Sequence, residues 1–153
     1  MAFHVQMVAL MLTTRLSVVL VPALFAVAAC APSQTVPADA NVQTLQTQSV
    51  VLRGTAPANG GSLSCADAAP GGSASYLELK EDVTANVALR PMAGVAVLHV
   101  TNVATHKTWC VMTKGDGTGA MIPGEFGMGV YAIDVQCSRT DAAQPYAVQF
   151  EKL

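Results

Sequence analysis

From residue 50 onward the chain repeats one device: short runs of alternating apolar and polar residues, closed off by glycine and proline. "GVYAIDVQC" sets Tyr131, Ile133, Val135 and Cys137 against Asp134 and Gln136, and "PYAVQFEK" sets Tyr146, Val148 and Phe150 against Gln149 and Glu151. "SYLELK" places Leu77 and Leu79 on one face and Tyr76, Glu78 and Lys80 on the other, while "NVALR" alternates Val87 and Leu89. Successive side chains of a strand point to opposite faces, so a period of two marks a half-buried strand. "GVAVLHVTN" is apolar nearly throughout, as a strand buried on both faces is. "THKTWCVMT" follows a turn. The turn signals "PANGGS", "PGGS", "RPMAG", "KGDGTG", "PGEFGMG" and "RTDAAQP" lie between these runs. No stretch after residue 50 carries a long stripe at the helical period, and no internal repeat is present. The pattern predicts an all-β domain over residues 50–153, an antiparallel, jelly-roll-like β-sandwich. Its 104 residues suffice for one modest core.

The N-terminal third is of another kind. Leu16 to Ala29 is apolar except for Ser17 and Pro22, and Arg15 precedes it. Fourteen residues are short for a membrane span, which needs about 20, but they suit the apolar region of a signal peptide. Met7 and Met11 are alternative starts, and an uncleaved apolar anchor is the competing reading. The small residues Ala26, Ala28 and Ala29 favour cleavage. Ala31 to Ser49 has one charge, no aromatic residue and many Gln and Thr. It cannot bury enough apolar surface to fold alone and reads as a flexible linker, though Val42 and Leu45 could dock on the domain.

The stretch Val27-Ala28-Ala29-Cys30 resembles the lipobox of bacterial lipoproteins. The resemblance implies a signal peptide over 1–29, a lipidated Cys30 opening a 30–49 linker, and a diacylglyceryl group with a further acyl chain such as palmitate. One acyl chain binds a membrane only marginally, whereas two or three hold a protein there stably. It also implies a place in the bacterial cell envelope. Ala31 stands where an aspartate commonly retains such proteins at the inner membrane, which points to the outer membrane of a Gram-negative cell, at its surface or in the periplasm. The expected partner is therefore a membrane, engaged through lipid on Cys30.

From Cys30 onward the chain carries seven Lys/Arg against ten Asp/Glu. With no basic cluster, nucleic acid is not an expected partner. No G-x-S-x-G, H-E-x-x-H or phosphate-loop pattern occurs. His99 lies inside an apolar strand and His106 in the polar turn "ATHK", and neither has a readable catalytic partner. Met112, Met121 and Met128 with the two histidines lack the close spacing of a Cu(I) site. The loop "KGDGTG" offers a cation one carboxylate, Asp116, where calcium wants six to eight oxygens. The expectation is a non-enzymatic protein with no catalytic residues, no cofactor and no metal. It would bind a protein or glycan, with Trp109 and Tyr76 as candidate binding aromatics. A structural or assembly subunit of an envelope or secretion complex is the alternative, and an exported enzyme or metal carrier ranks below it.

Cys65, "YLEL" at 76–79, "VLHV" at 97–100, "WC" at 109–110, "GVYAIDV" at 129–135 and "YAVQF" at 146–150 resemble the bacterial pre-peptidase C-terminal type of β-sandwich. That resemblance implies a non-catalytic module. It departs from the family after Cys110, where Val111 and Met112 replace acidic residues. Export would place Cys65, Cys110 and Cys137 in an oxidising compartment, where one disulfide forms and one thiol is left over. The spacings leave three pairings open, and the family resemblance points to Cys65–Cys110. Cys137 continues an inward face, as a buried inert thiol does.

Overall fold

The computed structural model describes residues 35–58, 63–67, 74–138 and 142–153. The nine strands of the described residues are β1 (Val42–Thr44), β2 (Ser49–Ala56), β3 (Ser75–Leu79), β4 (Val83–Leu89), β5 (Ala96–Asn102), β6 (Thr108–Met112), β7 (Ala120–Phe126), β8 (Gly129–Cys137) and β9 (Gln144–Lys152), with a 3-10 turn at Cys65–Asp67. They form two sheets, A in the order β1-β3-β8-β5-β6 and B in the order β2-β9-β4-β7. Strands β2 to β9 thus divide as 2-9-4-7 and 3-8-5-6, which is the jelly-roll arrangement, and every pairing among them is antiparallel.

The alternation read in the sequence is what fills the space between the sheets. Leu77 and Leu79 of β3, Tyr131, Ile133, Val135 and Cys137 of β8, and Tyr146, Val148 and Phe150 of β9 are all buried in one core. All seven residues of β5 are buried, as its continuous apolar run implies. Ala96, Leu98 and Val100 join the core, while Val97, His99 and Thr101 lie on the opposite face of sheet A, also buried.

Three features depart from the sequence reading. The segment read as linker contains a strand. β1 pairs in parallel with β3, Val42 opposite Tyr76, and Leu45 packs against the core. Hydrogen bonds to an exposed sheet edge order a segment too polar to fold alone. The first half of "PGEFGMG" is strand β7 rather than turn. Pro123 is tolerated there because β7 is the outermost strand of sheet B, so one side of its backbone needs no partner. Asp134, which alternation alone would send to solvent, is 1% exposed.

Gly54 shows why one strand position lacks a side chain. It pairs with Tyr146, and a Cβ there would fall 2.4 Å from the tyrosine hydroxyl. The phenol crosses the strand at that point, and its hydroxyl shares a 3.0 Å hydrogen bond with Ser75 Oγ. Burial pushes the Tyr146 pKa above its ordinary value, and that hydrogen bond opposes the shift.

Candidate functional site

The least ordinary chemistry lies on the outer face of sheet A. His99 on β5 pairs with Asp134 on β8 to one side and with Cys110 on β6 to the other. Residues paired across a ladder share a face, so the imidazole, the carboxylate and the Cys110 sulfur form one row. His99 is 3% exposed, and both its ring nitrogens lack a hydrogen-bond partner among the described residues. Burial lowers the His99 pKa, and the Asp134 carboxylate opposes that shift without reversing it. The imidazole is therefore neutral at pH 7. Asp134 Oδ2 accepts a 3.1 Å hydrogen bond from Gln136 Nε2.

Cys110 is bonded to Cys65, as the family resemblance implied, and the disulfide joins the row to the connection between β2 and β3. The described part of that connection, the 3-10 turn Cys65–Asp67, touches β6 where the bond holds it. Cys137 is a free, buried thiol whose Sγ lies 3.6 Å from the Pro57 carbonyl oxygen. Its place in the core is that of a packing residue.

The candidate binding aromatics do not share a surface. Trp109 lies on the inner face of β6, half-buried, with its ring 4.9 Å from Phe126 and 6.1 Å from Tyr131. Phe126 in turn packs 5.3 Å from Phe150. The Lys107 ammonium caps the indole at 4.6 Å from the ring centroid. Trp109 thus closes the side of the sandwich where β6 and β7 end the two sheets. Tyr76 pairs with Ala132 and Val42 on the outer face of sheet A. The backbone between them turns Trp109 inward and Tyr76 outward, so the two rings form no common stacking platform. Tyr131 donates its hydroxyl to the Gly127 carbonyl at 2.7 Å and is buried.

His106 sits in the β5–β6 turn with a left-handed φ of 57° and is exposed, well away from His99 along β5. Asp116 accepts hydrogen bonds from its own turn, at Thr118, which hold its pKa below the usual carboxylate range. Among the described residues no group of three or more His, Cys, Asp or Glu side chains is placed to hold a metal. Met112, Met121 and Met128 are exposed on separate strands and turns. A cleft of about 400 Å³ lies between the β1–β2 connection and the β3–β4 turn, with Leu45, Leu79 and Val83 as its floor and the Lys152–Glu81 ion pair at its rim. No helix of the described residues is long and apolar enough to cross a membrane. Cys30 and the segment read as a signal peptide lie outside the described residues.

Sequence could not have placed the His99–Asp134–Cys110 row, because it arises from pairing among three strands far apart in the chain. The one available signal was a histidine inside an otherwise apolar run.

No protein-family model matches the chain, and no curated protein matches it. Among solved structures it is similar to the pre-peptidase C-terminal domain of a collagenase from Bacillus anthracis, at 10% identity and a TM-score of 0.48. The similarity covers 77% of this chain and all of that domain. What is shown for this chain is its fold: an all-β, two-sheet sandwich of jelly-roll order with a Cys65–Cys110 disulfide.

Proposed function

We propose that the chain is an envelope lipoprotein, held at the outer membrane by lipid on Cys30, whose sandwich binds a partner without catalysis. The observation that carries this reading is the stretch Val27-Ala28-Ala29-Cys30 at the end of an apolar run. The Cys65–Cys110 disulfide supports it, since such bonds persist in oxidising, exported compartments. The placement of the aromatics favours a protein over a glycan as the partner. Trp109 is turned inward against Phe126, so the ring best suited to stack on a sugar is occupied. Assembly with other envelope proteins is the second reading, favoured by the outer face of sheet B, where Val51, Gln149, Ala88 and Met121 form an uncharged row.

The test is mass spectrometry of the protein recovered from bacterial membranes. The expected N-terminal peptide begins at Cys30 and carries two or three acyl chains, and Cys30→Ser abolishes both the lipid and membrane retention. Recovery of an unmodified Cys30, or of a chain still joined to residues 1–29, refutes the anchor.

A further inference from the structure

The outer face of sheet B carries its charges in separate rows, and the register defines them. The upper row is Arg53, Ala147 and Arg90: Arg53 pairs with Ala147, whose carbonyl accepts the Arg90 N–H at 2.9 Å. The middle row is Val51, Gln149, Ala88 and Met121. Below it lie Ser49, Glu151, Asn86 and Pro123, and then Thr84 with Glu125. The neighbours of these residues along each strand, Leu52, Val148, Val87, Leu89 and Ile122, are in the core, so the rows face outward. Both arginines therefore stand above a middle row that carries no charge, and both glutamates stand below it.

We propose that two copies of this chain pack face to face on sheet B, about a two-fold axis that runs across the strands through the middle row. Such a rotation leaves β9 over β9 and reverses its direction, so the upper row of one copy lies over the lower rows of the other. Arg53 and Arg90 are two strands apart, roughly 10 Å, and face-packed sheets are also about 10 Å apart. The two guanidinium groups then straddle Glu151 of the second copy, which sits on the strand between theirs. Val51, Ala88 and Met121 meet their own copies beside the axis, and Gln149 meets Gln149, where side-chain amides pair donor to acceptor. An axis along the strands would set arginine over arginine, so charge selects one of the two face-to-face arrangements. Four strands by six residues give a footprint of roughly 400 Å² per copy, about 800 Å² in total. That lies below the ~1,200 Å² of lasting complexes, so the dimer is weak and reversible. The inference gives the assembly reading a specific partner and does not require the lipid.

The test uses the full chain, purified in mild detergent, with one cysteine introduced at a time beside the buried Cys137 thiol and the intact Cys65–Cys110 disulfide, and a short bismaleimide linker. Gln149→Cys, next to the axis, is expected to cross-link at least about tenfold faster than Met112→Cys, which is exposed on the opposite sheet. Arg53→Glu with Arg90→Glu in the Gln149→Cys chain removes that advantage, and adding Glu151→Arg restores it. Equal rates at Gln149→Cys and Met112→Cys overturn the proposal, as does an advantage that survives the charge reversal. Thermal unfolding of each variant verifies the fold. The mass of the N-terminal peptide, read in the same samples, reports the lipid anchor separately.

Discussion

Removing the Cys65–Cys110 disulfide is expected to cost a large share of the stability margin of this domain. The bond joins residues 45 apart, so in the unfolded chain it closes a loop spanning the β2–β3 connection, β3, β4 and β5. The loop-entropy relation gives about 4 kcal/mol at 25 °C for a loop of that length. Small domains are stable by about 5–15 kcal/mol in total. With a urea slope of about 1.5 kcal/mol per molar, the midpoint of Cys65→Ser/Cys110→Ser falls by roughly 2–3 M. Reduced wild-type protein is expected to fall by the same amount, since the constraint rather than the sulfur atoms is lost. Trp109 fluorescence reads the global transition, because the indole packs on Phe126 and Tyr131. Hydrogen exchange reads the local consequence, as the turn at Cys65 is released from β6, the partner of β5. Amides of β5 at Val97 and His99 should lose more protection than those of β9, whose neighbours the bond does not touch. A midpoint within ~0.5 M of the oxidised protein, with β5 and β9 equally protected, would refute both the entropic account and the local effect of the bond on β5.

The remaining expectations are shorter. Phe126→Ala removes the ring that touches Trp109, Tyr131 and Phe150, and should cost about 3–5 kcal/mol in urea unfolding with a red-shifted Trp109 emission; an unchanged spectrum would show that the cluster does not enclose the indole. Gly54→Val drives a side chain into the Tyr146 phenol and should cost about 1–3 kcal/mol, whereas Thr55→Val, on the exposed side of the same strand, should be near neutral; equal effects would sink the steric account. His99 has a folded pKa below its unfolded value, so the unfolded chain binds the extra proton first. Its contribution is fully present above pH ~6.5 and is lost as the pH falls through the lowered folded value. His99→Leu should flatten the stability profile below pH ~6.5, and an unchanged slope would mean that His99 is not the titrating group.

What the sequence made legible was whatever has period two. Leu77, Ile133 and Val148 announced their faces because large apolar residues recur at every second position around them, with small or polar residues between, and the β5 run announced its double burial by being apolar nearly throughout. Three strands escaped the sequence reading: β2, whose run was not singled out, and β1 and β7, whose order comes from pairing rather than from composition. β1 is three residues of Val-Gln-Thr held on the edge of β3, and β7 contains Pro123 and Gly124, which score as turn residues yet sit comfortably on an outermost strand. Trp109 and Tyr76 illustrate the same limit at the level of function. Both were credible surface aromatics, and Tyr76 does face outward on β3, but which face of β6 meets the core, and so which way Trp109 turns, is a tertiary fact.

The burial of β5 on both faces has a consequence for how this protein tolerates change. Most strands of the sandwich have alternate positions in water, where a substitution alters little beyond solubility. Ala96 to Asn102 offers no such position. A charge introduced anywhere in those seven residues must be desolvated, whichever way it points. A one-residue slip of the strand would not expose its apolar set to solvent, as it would elsewhere, but would exchange His99 and Thr101 with Leu98 and Val100. In a saturation mutagenesis scan, β5 should therefore stand out as a seven-residue block of intolerance, with a shorter one at Tyr131–Val135 of its neighbour β8, while strands such as β4 and β9 alternate residue by residue.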